Sequence, residues 1–308
     1  MPARRPTRMV SDAVLGVVAL AVGALLLWHG AISDRGGVMG LIESVLPWFG
    51  ILIVLFAIVA ATRRSAFIAI GALVSAIVWA ALYVPVITPH RSTGNTDFTV
   101  ISENVDADNT NPANTVESIA ARHPQVIALQ ELTADSAAAA SKTLDAAYPH
   151  HYVVGTVGVW SSLPLSNAHS LTLGLGWKRA LSVDVQTDAG PVRVYALHAA
   201  SLRPGEFAQR DEMLSTLAAT LRRDDSSRLI AVGDFNAAST DRAFRQLLDT
   251  VNEPGTSQWG FGFTWPARFP VARVDHVVER GLHVVSNVVL PPNGSDHRPI
   301  QVGLGRDD

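Results

Sequence analysis

The chain has 308 residues, 48% of them hydrophobic and only 17% charged, with no cysteine and a formal net charge of −3 at pH 7. Zero cysteines exclude a disulfide framework, a thiolate metal site and a thiol nucleophile, and the composition excludes collagenous, coiled-coil and wholly disordered chains. Charge is unevenly spread: residues 1–90 carry six basic and three acidic side chains, while residues 91–308 carry 18 and 24, a net −6.

The first part contains three uncharged stretches, Ala13 to Trp28, Ser44 to Thr62 and Ser65 to Pro89. About 20 apolar residues cross a hydrocarbon core of roughly 30 Å. The pattern therefore predicts three transmembrane helices, over about 10–32, 43–62 and 65–87, with the lipid bilayer as their partner. A signal peptide with Arg4, Arg5 and Arg8 as its basic start is the alternative for the first stretch. Two further spans and the lack of a small-residue cleavage pattern after Trp28 favour a helix.

Basic residues are retained on the cytoplasmic side of short loops. Arg4, Arg5 and Arg8 precede the first span, Arg63 and Arg64 separate the second from the third, and only Asp34 and Arg35 lie between the first two. This predicts a multi-pass protein of the cell membrane with a cytoplasmic N-terminus and everything after Pro89 outside the cytoplasm. Glu43 and Pro47 fall at the start of the second span, where a carboxylate reaches the interface and proline is tolerated. Trp28, His29, Trp48, Trp79 and Tyr83 read as interfacial or packing residues. No cluster of intramembrane charge lines a transport path, so residues 1–90 read as an anchor.

Polar, turn-rich residues around 91–96 form a linker to a second domain over 97–305. Strands are expected at 98–104, 125–129, 152–160, 168–174, 180–187, 191–198, 228–232, 273–278, 282–290 and 299–302. Helices are expected from Asn111 to about His123, over 135–148, from Glu206 to Arg223 and over 241–248. This alternation suits one α/β domain with a two-sheet core.

Nearly every expected strand ends on a carboxylate, amide or imidazole. Asn104 closes the first, Glu131 follows the buried QVIAL run, and His198 ends the VRVYALH strand. Asp234 and Asn236 lie in a Gly-Asp-Phe-Asn turn, Asp275 in Arg-Val-Asp-His, and Asp296 and His297 just before the last strand. Each alone is an ordinary turn, cap or surface residue. Together they collect oxygen ligands at one sheet edge, as a hard cation such as Mg2+ or Mn2+ requires, with histidines available for proton transfer.

In this order the motifs Ser102-Glu103-Asn104, Leu129-Gln130-Glu131, Leu197-His198, Gly233-Asp234-Phe235-Asn236, Arg273-Val274-Asp275-His276 and Ser295-Asp296-His297-Arg298-Pro299-Ile300 resemble the endonuclease/exonuclease/phosphatase superfamily. The resemblance covers roughly Thr96 to Leu304. It implies an α/β (α+β) four-layer sandwich of two mixed β-sheets flanked by helices, and a metal-dependent phosphoric ester hydrolase. It further implies Glu131 as principal ligand of Mg2+ (or Mn2+) with Asn104 and Asp296 contributing, His297 as general base on water, and Asp275 orienting that ring. Asp234 would position or activate the water, Asn236 and Asn104 would hold phosphate oxygens, and His198 would bind the phosphate or assist the leaving group. Trp265, in Gly-Phe-Thr-Trp-Pro, would lie on a substrate-side loop. The Trp160-Ser-Ser-Leu-Pro-Leu segment lacks an arginine found in the family's corresponding stretch.

The substrate expected is a phosphodiester, either nucleic acid or a phospholipid head group. A domain at −6 with two lysines lacks the basic excess of a duplex binder, unless Arg179, Arg203, Arg210, Arg268 and Arg273 form a local patch. The alternatives are a sphingomyelinase-like lipid phosphodiesterase and a catalytically silent, membrane-tethered binding domain. No protein partner is expected.

Overall fold

A computed structural model of the chain describes residues 6–34, 37–90, 92–201, 203 and 205–305. Arg4, Arg5 and Arg35, which enter the orientation argument, lie outside them.

The N-terminal part folds as α1 (Pro6–Trp28), a short α2 (Val38–Val45), α3 (Phe49–Arg63) and α4 (Ala66–Ile87). Three stretches, Thr7–Ala31, Val38–Arg63 and Ala66–Ile87, are long and apolar enough to cross a membrane, with mean hydropathies of 2.3, 2.5 and 2.3. Helix α4 packs between α1 and α3. The second stretch begins earlier than expected and is interrupted at Leu46–Trp48 by a 3-10 turn containing Pro47. Charged groups cluster at one end, where Arg63 Nε lies 2.8 Å from Asp12 Oδ1 and Arg8 donates to Arg63 O over 2.9 Å.

At the opposite end the helices meet the second domain. Glu43, expected to reach the interface, is instead wholly buried and paired with Arg242, Oε1 to Nη2 at 2.9 Å. The reason is the early start at Val38, which carries Glu43 into the contact between helix α2 and the residue-240 turn. Thr240 Oγ1 donates to Glu43 O over 2.7 Å, and the Trp48 indole donates to Val271 O over 2.8 Å. Trp48 stacks on Phe263, and Phe261 meets Trp79 and Tyr83 edge-on. Beyond α4, His90 N bonds Thr256 O at 2.8 Å, so even the start of the connecting segment is docked.

The second domain has two sheets. Strands β1 (Phe98–Asn104), β2 (Val126–Gln130), β3 (His150–Val154) and β4 (Val157–Ser161) join β10 (His283–Val289) and β11 (Ile300–Gly305) in the order β10-β11-β1-β2-β4-β3. Strands β5 (Leu165–Leu171), β6 (Ala180–Thr187), β7 (Gly190–His198), β8 (Leu229–Asp234) and β9 (Asp275–Arg280) form the other in sequential order. Both are mixed: β1 with β2 and β7 with β8 are parallel, the remaining pairs antiparallel. The expected single strand over 152–160 is a hairpin, because Gly155 takes φ 58° and a Cβ there would lie 2.2 Å from Lys178 O.

The sheets face one another across a β-branched core that includes Val100, Val126, Val159, Val183, Val194, Ile230 and Val277. Outer faces are covered by helices. Helices α5 (Pro112–Ala120) and α6 (Ala134–Leu144) pack over Ile101, Ile127 and Leu129. Helices α7 (Phe207–Arg223) and α8 (Arg242–Arg245) cover Leu197, Leu229 and Ala231. The result is the expected four-layer α/β sandwich, since each sheet has two apolar faces to bury.

Candidate active site

Strand register alone assembles half of the site. His198 pairs with Asp234 across β7 and β8, and Asp234 with Asp275 across β8 and β9, which lines up three polar residues at one edge. In the facing sheet Asn104 pairs with Gln130, so Glu131 is the next residue out. Ligands gather beyond such strand ends because the backbone must turn there while the sheet core stays apolar. The Asn104 amide bridges the two sheets, donating from Nδ2 to Asp234 Oδ2 over 3.1 Å.

Tight turns hold these side chains. Gly233 has φ 142° and a Cβ there would come within 2.0 Å of Leu197 O, so only glycine fits before Asp234. Glu131 and Asn236 take left-handed φ values of 57° and 49°. That conformation costs an ordinary residue about 1–2 kcal/mol, and it is retained here at two positions facing the site. Glu131 Oε2 accepts from Ala107 N at 3.1 Å, and Asn236 Nδ2 donates to Ala199 O at 3.1 Å.

Two groups of candidate ligand atoms share Asp234: Glu131 with His198 and Asp234, and Asp234 with Asp275 and His297, each within 4.8 Å of one another. His198 Nε2 lies 3.4 Å from Glu131 Oε1 and 3.7 Å from Asp234 Oδ2. His297 Nδ1 lies 2.8 Å from Asp275 Oδ2, while its Nε2 faces Asp234 Oδ2 at 3.8 Å and Asp296 Oδ1 at 3.9 Å. With a carboxylate oxygen of Asp275 as the acceptor, Nδ1 carries the hydrogen and Nε2 is the atom turned toward the cleft. Asp296, half-exposed, stands in neither group; its Oδ2 accepts from the Trp265 indole over 3.1 Å.

Electrostatics separate the two histidines. Burial opposes a charge on His297, but Asp275 and Asp234 outweigh it and raise its pKa to about 10. Burial and the Arg179 guanidinium push His198 well below the usual imidazole range, so it is neutral. Burial, with the Asp275 charge adding to it and His297 opposing, pushes Asp234 up to about 7. One carboxylate oxygen of Asp275, Oδ1, is buried without a hydrogen-bond partner.

All the residues expected at the site from sequence, Asn104, Glu131, His198, Asp234, Asn236, Trp265, Asp275, Asp296 and His297, lie around this one edge. His276, in contrast, is wholly buried with its ring nitrogens at 2.7 Å from Glu253 Oε1 and Ala237 O. Two neighbours, Trp177 and Asp106, go unseen in the sequence, where Arg179 figures only as part of a basic patch. Arg179 Nη2 lies 2.6 Å from His198 Nδ1, and Trp177 covers its guanidinium at 4.6 Å. Asp106, with φ 63°, has its pKa raised by burial and then by the Asp296 and Glu131 charges. The local arginine patch left open from the sequence is partial: Arg210 is buried against Asp241 at 2.9 Å and Arg273 lies 3.4 Å from Glu253, while Arg179 stands at the site and Arg203, paired with Glu206 at 2.7 Å, is near enough for its charge to act on Arg179.

Residues 101–297 match the model of the Endonuclease/Exonuclease/phosphatase family. A comparison with curated proteins found no match. Among solved structures, beta toxin from Staphylococcus aureus with bound magnesium ions is similar at a TM-score of 0.57 and 16% identity, over 68% of this chain and 99% of that one. Mannosyl-6-phosphatase from Bacteroides thetaiotaomicron gives 0.58 and 15%, over 68% and 99%. Truncated TDP2 from Caenorhabditis elegans gives 0.56 and 17%, over 67% and 96%. At such identities the likeness is one of fold. The family match covers well over half of the sequence, and the chain belongs to the endonuclease/exonuclease/phosphatase family.

Proposed function

We propose that this family member is a membrane-anchored, divalent-metal-dependent phosphoesterase of phosphodiesterase type, with its active site at the Glu131, His198, Asp234, Asp275 and His297 edge. The observation that carries the reading is the His297–Asp275 pair at 2.8 Å with Nε2 directed at Asp234. Three helices apolar enough to span a bilayer support the anchoring, and the basic Arg8, Arg63 and Arg64 at the end remote from the second domain support an extracytoplasmic site.

The donor set fits a hard cation. It offers carboxylate, amide and imidazole atoms with no sulfur, and the buried Asp275 Oδ1 has no hydrogen-bond partner. Glu131 would be the principal ligand, with Asn104 and Asp296 on the same rim, and Mg2+ or Mn2+ the ion. Bound there, such a cation would neutralise charge developing on phosphate oxygens.

The chain's own residues do the rest. Asp275 fixes the His297 tautomer, so that Nε2 takes the proton from an attacking water positioned by Asp234. A cation held beside Glu131 and Asp234 would weaken the negative field that raises the His297 pKa, and so would favour the form in which Nε2 can accept. The water oxygen forms a new bond to phosphorus, the bond to the leaving oxygen breaks, and that oxygen takes a proton from solvent while His297 returns to solvent the one it accepted. Asn236, Asn104 and neutral His198 donate hydrogen bonds to the phosphate oxygens, and burial, helped by Arg179 behind it, disfavours a charge on His198.

The test is hydrolysis by the full chain in detergent with Mg2+, with EDTA as control, on single-stranded DNA, RNA, sphingomyelin and bis(p-nitrophenyl) phosphate. Cation-dependent turnover abolished by Glu131→Gln and by His297→Asn is the expected result. A folded protein with no turnover on any ester would favour a silent binding domain and overturn the reading.

A further inference from the structure

The segment from Thr256 to Ala272 has two attachments. On one side it grips the helix ends: Gly260 N bonds Ile87 O at 3.0 Å, Phe261 packs on Trp79 and Tyr83, and Val271 O accepts from Trp48. On the other side it builds the site wall. Thr264 Oγ1 accepts from the backbone of Asp275 at 3.3 Å, and the Trp265 indole holds Asp296. Val271 N bonds Trp265 O at 2.9 Å, which ties the two attachments together. One continuous segment therefore contacts both the helix ends and the site wall.

Two features of the segment and its support are unpartnered and apolar. Trp259 is 76% exposed and Phe269 72% exposed, and each lies within two residues of a contact with the helices. A groove of about 450 Å³ opens on the helix surface, lined by Ile53, Val54, Ala76 and Trp79 and by Trp48 and Phe261, which also carry the segment's contacts with the helices. Both indole N–H groups in its wall are engaged elsewhere, Trp48 with Val271 O and Trp79 with Pro47 O at 2.9 Å. The groove therefore offers no free donor and suits a hydrocarbon chain. Water-facing aromatics of this size are costly, whereas at a membrane interface they are favoured.

We propose that the phosphate ester cleaved here belongs to a membrane lipid of the leaflet in which these helix ends lie. One acyl chain occupies the groove beside Trp48, Trp79 and Phe261, Trp259 and Phe269 dip into the interface, and the head-group phosphate reaches the edge formed by Glu131, Asp234 and His297. This rests on the phosphoesterase reading and deepens it by naming the substrate class. Hydrolysis consumes one water and breaks one ester P–O bond, as for any phosphate ester, and needs no other reactant.

The experiment uses the full chain in phosphatidylcholine nanodiscs with Mg2+. Sphingomyelin, phosphatidylglycerol, phosphatidylinositol or phosphatidic acid is placed in the same disc, and single-stranded DNA and bis(p-nitrophenyl) phosphate are supplied in solution. Cleavage of one of the lipids is expected, with a fall of about tenfold in Ala76→Phe and in the Trp259→Ser/Phe269→Ser double variant and no change on the soluble diester. A second readout is independent of turnover: with dibrominated phosphatidylcholine, the fluorescence lost on Trp259→Phe should be a strongly quenched component. Cleavage of a soluble ester and of no lipid would overturn the inference while leaving the phosphoesterase reading standing, as would equal losses on both substrate kinds or an unquenched Trp259. No cleavage of either kind would overturn both.

Discussion

The wholly buried carboxylate of Glu43 accepts from Arg242 twice, Nη2 at 2.9 Å and Nε at 3.2 Å, and so joins the helical part to the turn that follows the Asp234–Asn236 loop. Arg242 N adds a third bond to Oε2 at 3.3 Å. Removing one partner of a buried pair costs about 3–5 kcal/mol, because the other charge is left without compensation. Arg242→Ala in the full chain should therefore lower the thermal midpoint and raise hydrogen exchange at amides 240–243. Glu43→Gln, which keeps hydrogen-bonding atoms, should do less. Unchanged exchange in both variants would show that this pair does not hold the two parts together.

Arg210, on α7, is buried against Asp241 with a second contact to Asp211 at 2.6 Å, and its Nη1 donates to Asn236 O at 3.2 Å. Burial raises Asp241 to about 6 even though Arg210 opposes it. Without Arg210 the carboxylate is pushed further toward its neutral form, and Arg210→Met should cost about 3–5 kcal/mol near neutrality. A carboxylate whose folded pKa lies above its unfolded value binds more protons when folded, so it lowers stability as pH rises past the unfolded pKa. The deficit of Arg210→Met should thus shrink at pH 5 relative to pH 8, and Arg210→Met/Asp241→Asn should recover most of it. A pH-independent deficit in thermal midpoint would contradict this account.

Much of the fold and site is legible in the sequence because catalytic groups of this kind sit where strands end, and strand ends are marked by a switch from β-branched to polar residues. Asn104, His198 and Asp234 each follow an apolar run, and register then does the assembling. What is not legible depends on contacts between distant elements. Arg179 precedes β6, and it reaches His198 only because Ala180 pairs with Leu197 in the next strand. Nothing local to Glu43 announces Arg242, 199 positions away. The hairpin at Gly155 escaped for a different reason: β3 and β4 are separated by two residues, and unbroken β-like composition on both sides masks the turn.

Glu253 offers a pH-dependent contribution to stability away from the proposed cation ligands. Burial disfavours its charge, but Arg273 and His276 outweigh burial and bring its pKa down to about 2. His276 Nδ1 lies 2.7 Å from its Oε1, and Ser239 donates to the same oxygen at 3.0 Å. A depressed carboxylate contributes stability that is fully present above its unfolded pKa, near 4.5, and is lost as pH falls through about 2. The size is about 3 kcal/mol at neutral pH. Glu253→Gln should lower the thermal midpoint at pH 7 and flatten its decline between pH 5 and 3. If wild type and variant decline in parallel over that interval, Glu253 is not the group responsible.

The Trp265 indole donates to Asp296 Oδ2 over 3.1 Å, and Ala267 N bonds the Asp296 carbonyl at 2.6 Å, so one loop orients both the side chain and the backbone of a proposed cation ligand. Partners behind a ligating carboxylate set its direction, and their removal costs roughly 10–100-fold in metal affinity. Trp265→Phe keeps the apolar ring and deletes only the N–H. It should therefore raise the Mn2+ dissociation constant about tenfold, read directly by calorimetry or by the loss of free-ion paramagnetic signal, and should leave kcat at saturating cation near that of wild type. Trp265→Ala should add a substrate effect if the ring also contacts the ester, seen as a higher KM at saturating cation. An unaltered Mn2+ affinity in Trp265→Phe, together with a lowered kcat, would place the indole against the reacting group and remove Asp296 from the cation site.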